Sequence, residues 1–458
     1  MVIDSPPRAL VGADGKNHLA YEITIVNQTP SDVRIDRVQP RAGGKALGCG
    51  DRLSLGMPAA LTSRNTSGYG HPRLPWGWPP STNRRPELRS LTWICGVLAL
   101  ALAAIVPAAA ADPLPPEDRR FVDDTAAGVM QEQRVPGVSV GLWGPAGDYV
   151  STYGVRDTES GAPLRRGDHV RIASITKSYV ATEVLRQIDR GRLRLSDTID
   201  GFVRGVPNGD QITIAQLLGM RAGTYDFTMD AAFGRRFAAN PQMKFGVRDV
   251  LRIIRRHRPS FRPGARVEYS DTNYTLLGVV LEKATGRSPE AVIKRDIIDR
   301  LRVRGTSFPT RPALPRPFSH GYYAGDDGTG PVRDYTLVNP GVAWTAGGMV
   351  STLGDLRTWG RALARGTLLS KRLHARQLRF GPIPNPGSPI KIGYGLGVFK
   401  LGRWIGHNGA IYGFSTITMY LPGRGAQFVA TANLSTNFSS QTIDVFVPIA
   451  RRLYPGSI

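Results

Sequence analysis

The 458-residue chain contains few cysteines and few histidines. Its two cysteines, Cys49 and Cys95, both precede residue 112, so the remainder has no disulfide, no thiolate nucleophile and no cysteine metal site. The seven histidines form neither an HExxH motif nor another paired spacing. A zinc hydrolase is therefore unsupported, and we expect no metal and no cofactor.

Acidic residues are also scarce: 36 Asp and Glu stand against 59 Lys and Arg, a formal charge of +23. Such a surface favours anionic partners such as nucleic acid, membrane headgroups or wall polymers. The densest basic run, RIIRRHRPSFRPGAR at 252–266, lacks the interleaved aromatic residues of a base-stacking platform. We interpret it as a solvated helix face and loop, and expect no nucleic-acid partner. An anionic cell wall is a partner that is compatible with this basic surface.

One long apolar run lies far from the N-terminus. Residues 84–111 have the three parts of a secretory signal: basic residues around Arg84, an apolar run at 91–106, and small residues including Ala108 and Ala110 that fit an A-x-A cleavage site. We expect cleavage near residue 111 and a secreted or extracytoplasmic protein. The alternative is an uncleaved membrane anchor, because the stretch is just long enough to span a bilayer.

The segment before this signal, 1–83, shows little periodicity and many Pro, Gly and Ser residues, which predicts an unstructured extension. Signals belong at N-termini, so we hypothesise a start codon assigned too far upstream. N-terminal sequencing of the native protein tests this hypothesis, and an intact 1–83 segment would contradict it.

Periodicity predicts one domain over 112–458. A helix and a hairpin begin it, Gly-rich antiparallel strands and a last helix end it, and a helical lobe at 192–340 is inserted between the sheet parts 112–191 and 341–458. The predicted fold class is α/β (α+β). The hairpin contains GVSVG, but a G-x-S-x-G elbow needs a strand, a turn and a helix, so we interpret Ser139 as structural.

A serine and a lysine three residues apart, Ser174 and Lys177, open what the pattern predicts to be an amphipathic helix. One turn apart, they share a helix face. Burial near a helix N-terminus is expected to lower the pKa of Lys177, giving a neutral amine that accepts the serine proton. The alternative is an N-cap serine beside a surface lysine.

Two further motifs follow. Tyr269 in YSDTNYTLLG is a candidate proton donor or acceptor, and the alternative is a core tyrosine that opens a helix. His407 in HNGAIYGFST is a candidate cation or hydrogen-bond donor on a strand, and the alternative is a satisfied strand histidine. Gly409 is expected to let a substrate backbone approach, and the amides of Ala410 and Ser174 to form an oxyanion hole.

The order and spacing of these motifs resemble the penicillin-recognising serine hydrolases. Tyr269 follows Ser174 by 95 residues, and His407 follows after about 140 more. LLGMRAGTYDF at 217–227 and AGGMVSTLGDLRTWGRAL at 346–363 are also similar to the family. The resemblance covers about residues 115–453 and includes class C β-lactamases, D-alanyl-D-alanine carboxypeptidases and β-lactamase-like esterases.

The resemblance implies a β-lactamase/transpeptidase-like fold and gives each residue a role. Ser174 is the acylated nucleophile, Lys177 its proton acceptor and Tyr269 the acid/base for the leaving group. His407 takes the basic position of the third motif. The substrate and oxyanion positions are Asn408, Gly409, Ala410 and Asp271.

Asp271 departs from the family pattern, which has asparagine there. An ionised aspartate cannot donate to a substrate carbonyl, and a carboxylate near Lys177 favours its charged form. A protonated His407 paired with Asp271 would offset this, whereas Asn273 is expected to point elsewhere. Efficient β-lactam hydrolysis is therefore disfavoured.

The leading hypothesis is a secreted serine hydrolase acting through an acyl-enzyme on a small peptide or ester, most similar to a D-alanyl-D-alanine carboxypeptidase that binds penicillin. An esterase is the first alternative and a true β-lactamase the next. A non-catalytic binding protein on the same fold is a different class, disfavoured because all four catalytic candidates are present. Specificity is expected in the loops at 225–245 and 320–345, and a membrane partner only if the signal is uncleaved.

Overall fold

The computed structural model describes residues 112–458, apart from 326–327, 384–389 and 437–440, together with the backbone of six short strands before residue 112. The extension at 1–83 and the signal segment at 84–111 otherwise lie outside the described residues, so both remain predictions. The six short strands pair antiparallel: Val2–Ile3 with Ile23–Thr24, Arg8–Val11 with Asn17–Ala20, and Arg41–Ala42 with Lys45–Ala46. Contacts divide the chain into two compact units, Met1–Ser31 with Ala111–Ile458, and Asp32–Ala110.

An eight-stranded antiparallel sheet forms the centre of the first unit. Numbered from residue 112 onward, the strands are β1 Gly137–Trp143, β2 Tyr149–Gly154, β3 Val170–Arg171, β4 Tyr322–Tyr323, β5 Arg333–Asp334, β6 Val350–Ser351, β7 Gly381–Ile383, β8 Ile392–Tyr394, β9 Phe399–Leu401, β10 Trp404–Ile411, β11 Phe414–Leu421 and β12 Ala426–Ala432. The eight strands of the sheet follow the order β7-β8-β9-β10-β11-β12-β1-β2. The N-terminal hairpin, β1 and β2, therefore pairs with the last strand, β12, which confirms the predicted sheet. Ser139 faces Thr152 within this hairpin and is 3% exposed, as expected of a structural serine.

Twelve α-helices surround the sheet in the described residues: α1 Pro116–Glu132, α2 Ile175–Asp189, α3 Ile214–Leu218, α4 Ala231–Ala239, α5 Val247–Arg256, α6 Asp271–Thr285, α7 Pro289–Ile293, α8 Asp299–Leu301, α9 Trp344–Gly347, α10 Leu353–Arg365, α11 Lys371–Gln377 and α12 Gln441–Leu453. A π-turn, Lys294–Ile298, joins α7 to α8. Three 3₁₀ turns lie at Ile199–Gly201, Phe227–Met229 and Pro340–Val342.

Helix α1 shows how the local sequence specifies these elements. Pro116 occupies the first helical position, and Glu117 and Asp118 complement the positive end of the helix dipole. Val122 and Val129, seven residues apart, are buried on one face of the helix. α1 and α12 pack together on one face of the sheet, while α2 and α10 cover the other face beneath the helical lobe.

Helix α2 differs from the prediction of an amphipathic helix. All thirteen residues from Ile175 to Gln187 are buried, because the lobe covers the side of α2 that does not contact the sheet. Polar residues on α2 are therefore held inside the protein. A helix that is buried all round gives its polar side chains fixed partners instead of solvent.

The basic run at 252–266 belongs to α5 and the loop after it, as predicted. Arg252 and Arg256 have side chains 63% and 57% exposed. Arg255 donates to the backbone carbonyls of Arg204 and Gly205. Within residues 112–458, as far as they are described, no helix is both long and apolar enough to cross a bilayer.

Candidate active site

Ser174 occupies the N-cap of α2, directly after a strained residue. Ala173 has a φ of +47°, in the left-handed region that non-glycine residues seldom adopt. Lys177 Nζ donates to Ser174 Oγ over 2.9 Å. Ser174 makes no side-chain capping hydrogen bond, so its hydroxyl is held by the lysine and not by the helix end. The structure brings the predicted pair together.

Lys177 is 0% exposed, more deeply buried than predicted. Its Nζ lies 2.8 Å from the carbonyl oxygen of Ala346 and 2.5 Å from Asp271 Oδ1, in addition to Ser174 Oγ. It also lies 4.8 Å from the centre of the Tyr269 ring. Two hydrogen bonds and an ion pair with a carboxylate oxygen suit an ammonium group, so the resting site holds Lys177 as a cation.

The predicted fall in the pKa of Lys177 is wrong. Burial alone lowers that pKa, but the charge of Asp271, together with the interactions of Lys177 with Tyr269, outweighs burial, so the pKa is raised above its ordinary value. The carboxylate responsible comes from α6, far away in the sequence. Lys177 must therefore lose a proton before it can accept one from Ser174.

Tyr269 is packed beside this pair. Burial raises the pKa of its phenol, and Asp271 raises it further, while Lys177 and hydrogen bonds to Lys177 and Ser174 act in the opposite direction. The net pKa is raised, so Tyr269 rests as a protonated phenol. This form suits donation of a proton to a leaving group and does not suit a resting phenolate base.

A second carboxylate, Asp226, was not identified from the sequence. Its Oδ2 accepts from the backbone N–H of Asp271 over 3.2 Å. Burial, followed by the charge of Asp271, raises the pKa of Asp226 to about 7. The TYDF sequence around Asp226 lies in the 217–227 stretch, which resembles the family. That resemblance is the feature of the sequence that could have identified Asp226. A second carboxyl group therefore lies against Asp271, the position at which the family motif provides an amide.

His407 was predicted to supply a cation or a hydrogen-bond donor, and the structure gives neither to the site. Its Nδ1 lies 2.5 Å from the carbonyl oxygen of Asn408, so Nδ1 carries the proton and Nε2 accepts from the Tyr394 hydroxyl at 3.3 Å. Burial, together with the charge of Lys177, lowers the pKa of His407 to about 3 despite the bond to Asn408. The ring is neutral and cannot form the proposed ion pair with Asp271.

The register of β10 directs the Ala410 amide toward an open edge. Ile411 pairs with Phe414 across a two-residue turn and exchanges hydrogen bonds with it, so the residues that bond to β11 have odd numbers. The even-numbered residues Trp404 and Gly406 direct their backbone N–H and C=O groups toward β9, whose first paired residue is Phe399. Ala410 lies beyond the end of this pairing, so its N–H faces no strand in the part of the chain that the structure describes. This is the orientation that the predicted oxyanion role requires.

Gly409 serves the protein's own backbone, which corrects the predicted role in substrate approach. A Cβ at this position would lie 2.4 Å from the Ile172 carbonyl oxygen and 2.8 Å from the Ser174 nitrogen. β10 and the start of α2 therefore approach closely because residue 409 has no side chain. This contact places the amides of Ser174 and Ala410 near each other.

Gly409→Ala is expected to lower kcat/KM at least about tenfold and to lower stability by about 1–3 kcal/mol, because the new methyl group overpacks this contact. Gly128→Ala is the matched control, since a Cβ at 128 meets nothing within 4 Å. Steady-state kinetics and thermal unfolding of both variants measure the effect. Equal behaviour of the two variants would contradict the assigned close contact.

Each of the last two motifs contains an asparagine, Asn273 in YSDTNYTLLG and Asn408 in HNGAIYGFST. Asn408 is partly exposed on the edge of β10, and its carbonyl accepts from His407. Asn273 is 1% exposed, accepts from Thr224 Oγ1 over 2.7 Å and thus fixes the 217–227 stretch, pointing away from Lys177 as expected. Asn273 is structural, and the substrate role of Asn408 remains a prediction.

The site thus combines a partly buried serine and a fully buried lysine at a helix start, a phenol and an open strand edge with a free amide. This is the arrangement of a serine hydrolase that acts through an acyl-enzyme. The β-lactamase family model matches residues 122–446. The chain belongs to the β-lactamase family.

The chain is also similar to several curated proteins. The chain is 24% identical to Protein flp of Staphylococcus aureus (strain N315), over 72% of this chain and 66% of that protein. It is 27% identical to a penicillin-binding protein of Bacillus subtilis (strain 168), over 59% of this chain and 61% of that protein. The chain therefore spans less than two thirds of the length of these curated relatives.

Solved structures show the same fold. A D-stereospecific amidohydrolase from Streptomyces sp. is 29% identical, with a TM-score of 0.63 over 73% of this chain and 98% of that chain. The D-amino acid amidase from Ochrobactrum anthropi SV3, complexed with D-phenylalanine, is 23% identical, with a TM-score of 0.62 over 72% of this chain and 99% of that chain. The β-lactamase/transpeptidase-like fold expected from the sequence is confirmed.

Proposed function

We propose that this protein is a secreted serine hydrolase that acylates Ser174 and cleaves the peptide or amide bond of a small D-amino-acid substrate, in the manner of a D-alanyl-D-alanine carboxypeptidase. The observation that carries this proposal is the 2.9 Å contact between Ser174 Oγ and Lys177 Nζ, next to the open edge of β10. The nucleophile, its proton acceptor and an amide that binds the oxyanion then surround the position of the scissile carbonyl group.

The proposed chemistry assigns each proton. After Lys177 has lost a proton to solvent, its neutral amine accepts the proton of Ser174 as Oγ attacks the carbonyl carbon. The amides of Ser174 and Ala410 bind the resulting oxyanion. The Tyr269 phenol then donates a proton to the departing nitrogen and becomes a phenolate, and the carbonyl re-forms as an ester on Ser174. A water molecule gives a proton to this phenolate as it attacks the ester. The Ser174 oxygen then leaves and takes its proton from the Lys177 ammonium, which restores all three groups and releases the acid product.

The relatives support a D-configured amide. The solved relative at 29% identity is a D-stereospecific amidohydrolase. A penicillin-binding protein and a β-lactamase from Pseudomonas fluorescens are also among the relatives, which supports binding of a β-lactam ring. Since Asp271 cannot donate to a substrate amide carbonyl as an asparagine would, we expect acylation by penicillin to be slow and a true β-lactamase activity to be weak.

An esterase is the second candidate, and the charged resting state of Lys177 favours it. Asp271 Oδ1 lies 2.5 Å from Lys177 Nζ and keeps the general base protonated. An activated ester has a leaving group that needs no proton, so its cleavage depends less on Lys177 and Tyr269 than amide cleavage does. Ester turnover without amide turnover would favour this candidate.

Intact mass spectrometry of residues 112–458 separates these functions. The protein is mixed in turn with benzylpenicillin, a D-alanyl-D-alanine peptide and an aryl ester, beside Ser174→Ala. We expect a slow, Ser174-dependent penicilloyl adduct and release of D-alanine. A rapidly cleared adduct would indicate a β-lactamase, and turnover of the ester alone an esterase. No adduct with any compound would support the non-catalytic binding protein.

The extracytoplasmic location is part of the same proposal. It rests on the signal-like segment at 84–111 and on the excess of basic residues, which suits an anionic cell wall. Fractionation of the native host followed by N-terminal sequencing is the measurement. A protein recovered in the cytosol with this segment intact would contradict secretion.

A further inference from the structure

The two loop regions expected to set specificity meet at the end of β10. Phe237 on α4 lies 4.8 Å, between ring centroids, from Tyr412 in the turn after β10. Tyr323 and Tyr335 lie 4.7 Å and 5.8 Å from Tyr412, and 5.1 Å from each other. We call these four residues, Phe237, Tyr323, Tyr335 and Tyr412, the aromatic box.

The aromatic box adjoins the proposed reaction centre. Tyr412 follows the predicted oxyanion donor, Ala410, by two residues, or about 7 Å along an extended strand. Gly409, next to Ala410, is the residue in close contact with the Ser174 backbone. A group attached near a carbonyl held at Ala410 therefore comes within reach of the Tyr412 ring.

The tyrosines of the box remain partly accessible to solvent. Phe237 is 2% exposed, whereas the three tyrosines are only half-buried. The large apolar side chains that remain exposed among the described residues of 112–458 are Met229, at 47%, and Leu337, at 48%. Both lie in the same two loop regions. Exposed large apolar side chains in the loop regions that also supply half-buried aromatic rings are typical of a ligand-binding surface.

We propose that the aromatic box is the subsite for the side chain on the acyl side of the scissile bond, and that it selects aromatic or large apolar side chains. This proposal rests on the proposed acyl-enzyme function. The four rings meet at edge-to-face or tilted angles, apart from the near-parallel Tyr335–Tyr412 pair, so a further ring can extend the same packing. A D-phenylalanine amide is then a better substrate than a D-alanine amide.

Ammonia release from D-phenylalanine amide and D-alanine amide tests the proposal, because the two substrates share one leaving group. We expect kcat/KM to favour D-phenylalanine amide at least about tenfold in the native protein. Tyr412→Ala is expected to remove this preference mainly by lowering kcat/KM for the aromatic amide. Tyr412→Phe keeps the ring and is expected to retain the preference.

Tyr149→Ala is the matched control, because Tyr149 is a partly buried tyrosine on β2 whose hydroxyl bonds to Asp123. Thermal unfolding of each variant reports folding, and Tyr335→Ala replaces Tyr412→Ala if the latter does not fold. Equal rates for both amides with Ser174-dependent turnover would overturn the subsite alone. The dipeptides D-alanyl-D-phenylalanine and D-alanyl-D-alanine differ only in the leaving residue. A preference for the aromatic compound in this pair alone would place the aromatic ring on the leaving side of the bond and would also overturn the proposed subsite. Absence of any Ser174-dependent reaction would overturn the proposed function itself.

Discussion

Ser174→Ala is expected to lower kcat/KM at least about 10³-fold on any substrate and to abolish covalent adducts, because no other group can carry the acyl chain. Lys177 Nζ lies 2.9 Å from the Ser174 hydroxyl, so the alanine variant removes both the nucleophile and the partner of the lysine. The helix itself should persist, since Ser174 makes no side-chain capping hydrogen bond. Kinetics, intact mass and thermal unfolding together measure this result.

Ser139→Ala is the matched control. Ser139 lies in the GVSVG sequence that matches a nucleophile motif, yet the structure buries it within β1 opposite Thr152. We expect full acylation in this variant. Loss of adducts in Ser139→Ala together with retained adducts in Ser174→Ala would overturn the assignment of the nucleophile.

Asp271→Asn is expected to move the pH dependence of kcat/KM to lower pH and to raise activity at neutral pH. In the native protein, the nearby carboxylate keeps the pKa of Lys177 raised, so the reactive neutral amine increases as pH rises. Without that charge, burial dominates and lowers the pKa. Below the midpoint, activity then increases about tenfold for each pH unit by which the profile moves.

The same variant restores a side-chain amide that donates to a substrate carbonyl. We therefore expect faster acylation by benzylpenicillin as well. Rate profiles from pH 5 to 10 and adduct kinetics measure both effects. Asp189→Asn removes a negative charge from the other end of α2, where it bonds to Ser370, and should leave the profile unchanged. A large loss of activity in Asp271→Asn would instead show that the carboxylate itself accepts a proton.

The positions of the nucleophile and its neighbour were predictable from the sequence because they depend on local geometry. Residues three apart on a helix share a face, so Ser174 and Lys177 had to be neighbours once α2 formed. The antiparallel strands after residue 390 were likewise indicated by alternation and Gly-rich turns. The departure at Asp271 was visible as a residue type in a motif.

The electrostatic state of the site was decided by contacts between residues far apart in the chain. Lys177 is charged because α6 brings Asp271 to 2.5 Å from it, about ninety residues downstream. His407 is neutral because burial among aromatic rings, including Phe399 at 4.7 Å, disfavours its cation. Neither spacing nor composition reports such burial, which exists only after distant elements pack. The sequence determined which chemical groups are available, and the tertiary structure determined their protonation and their partners.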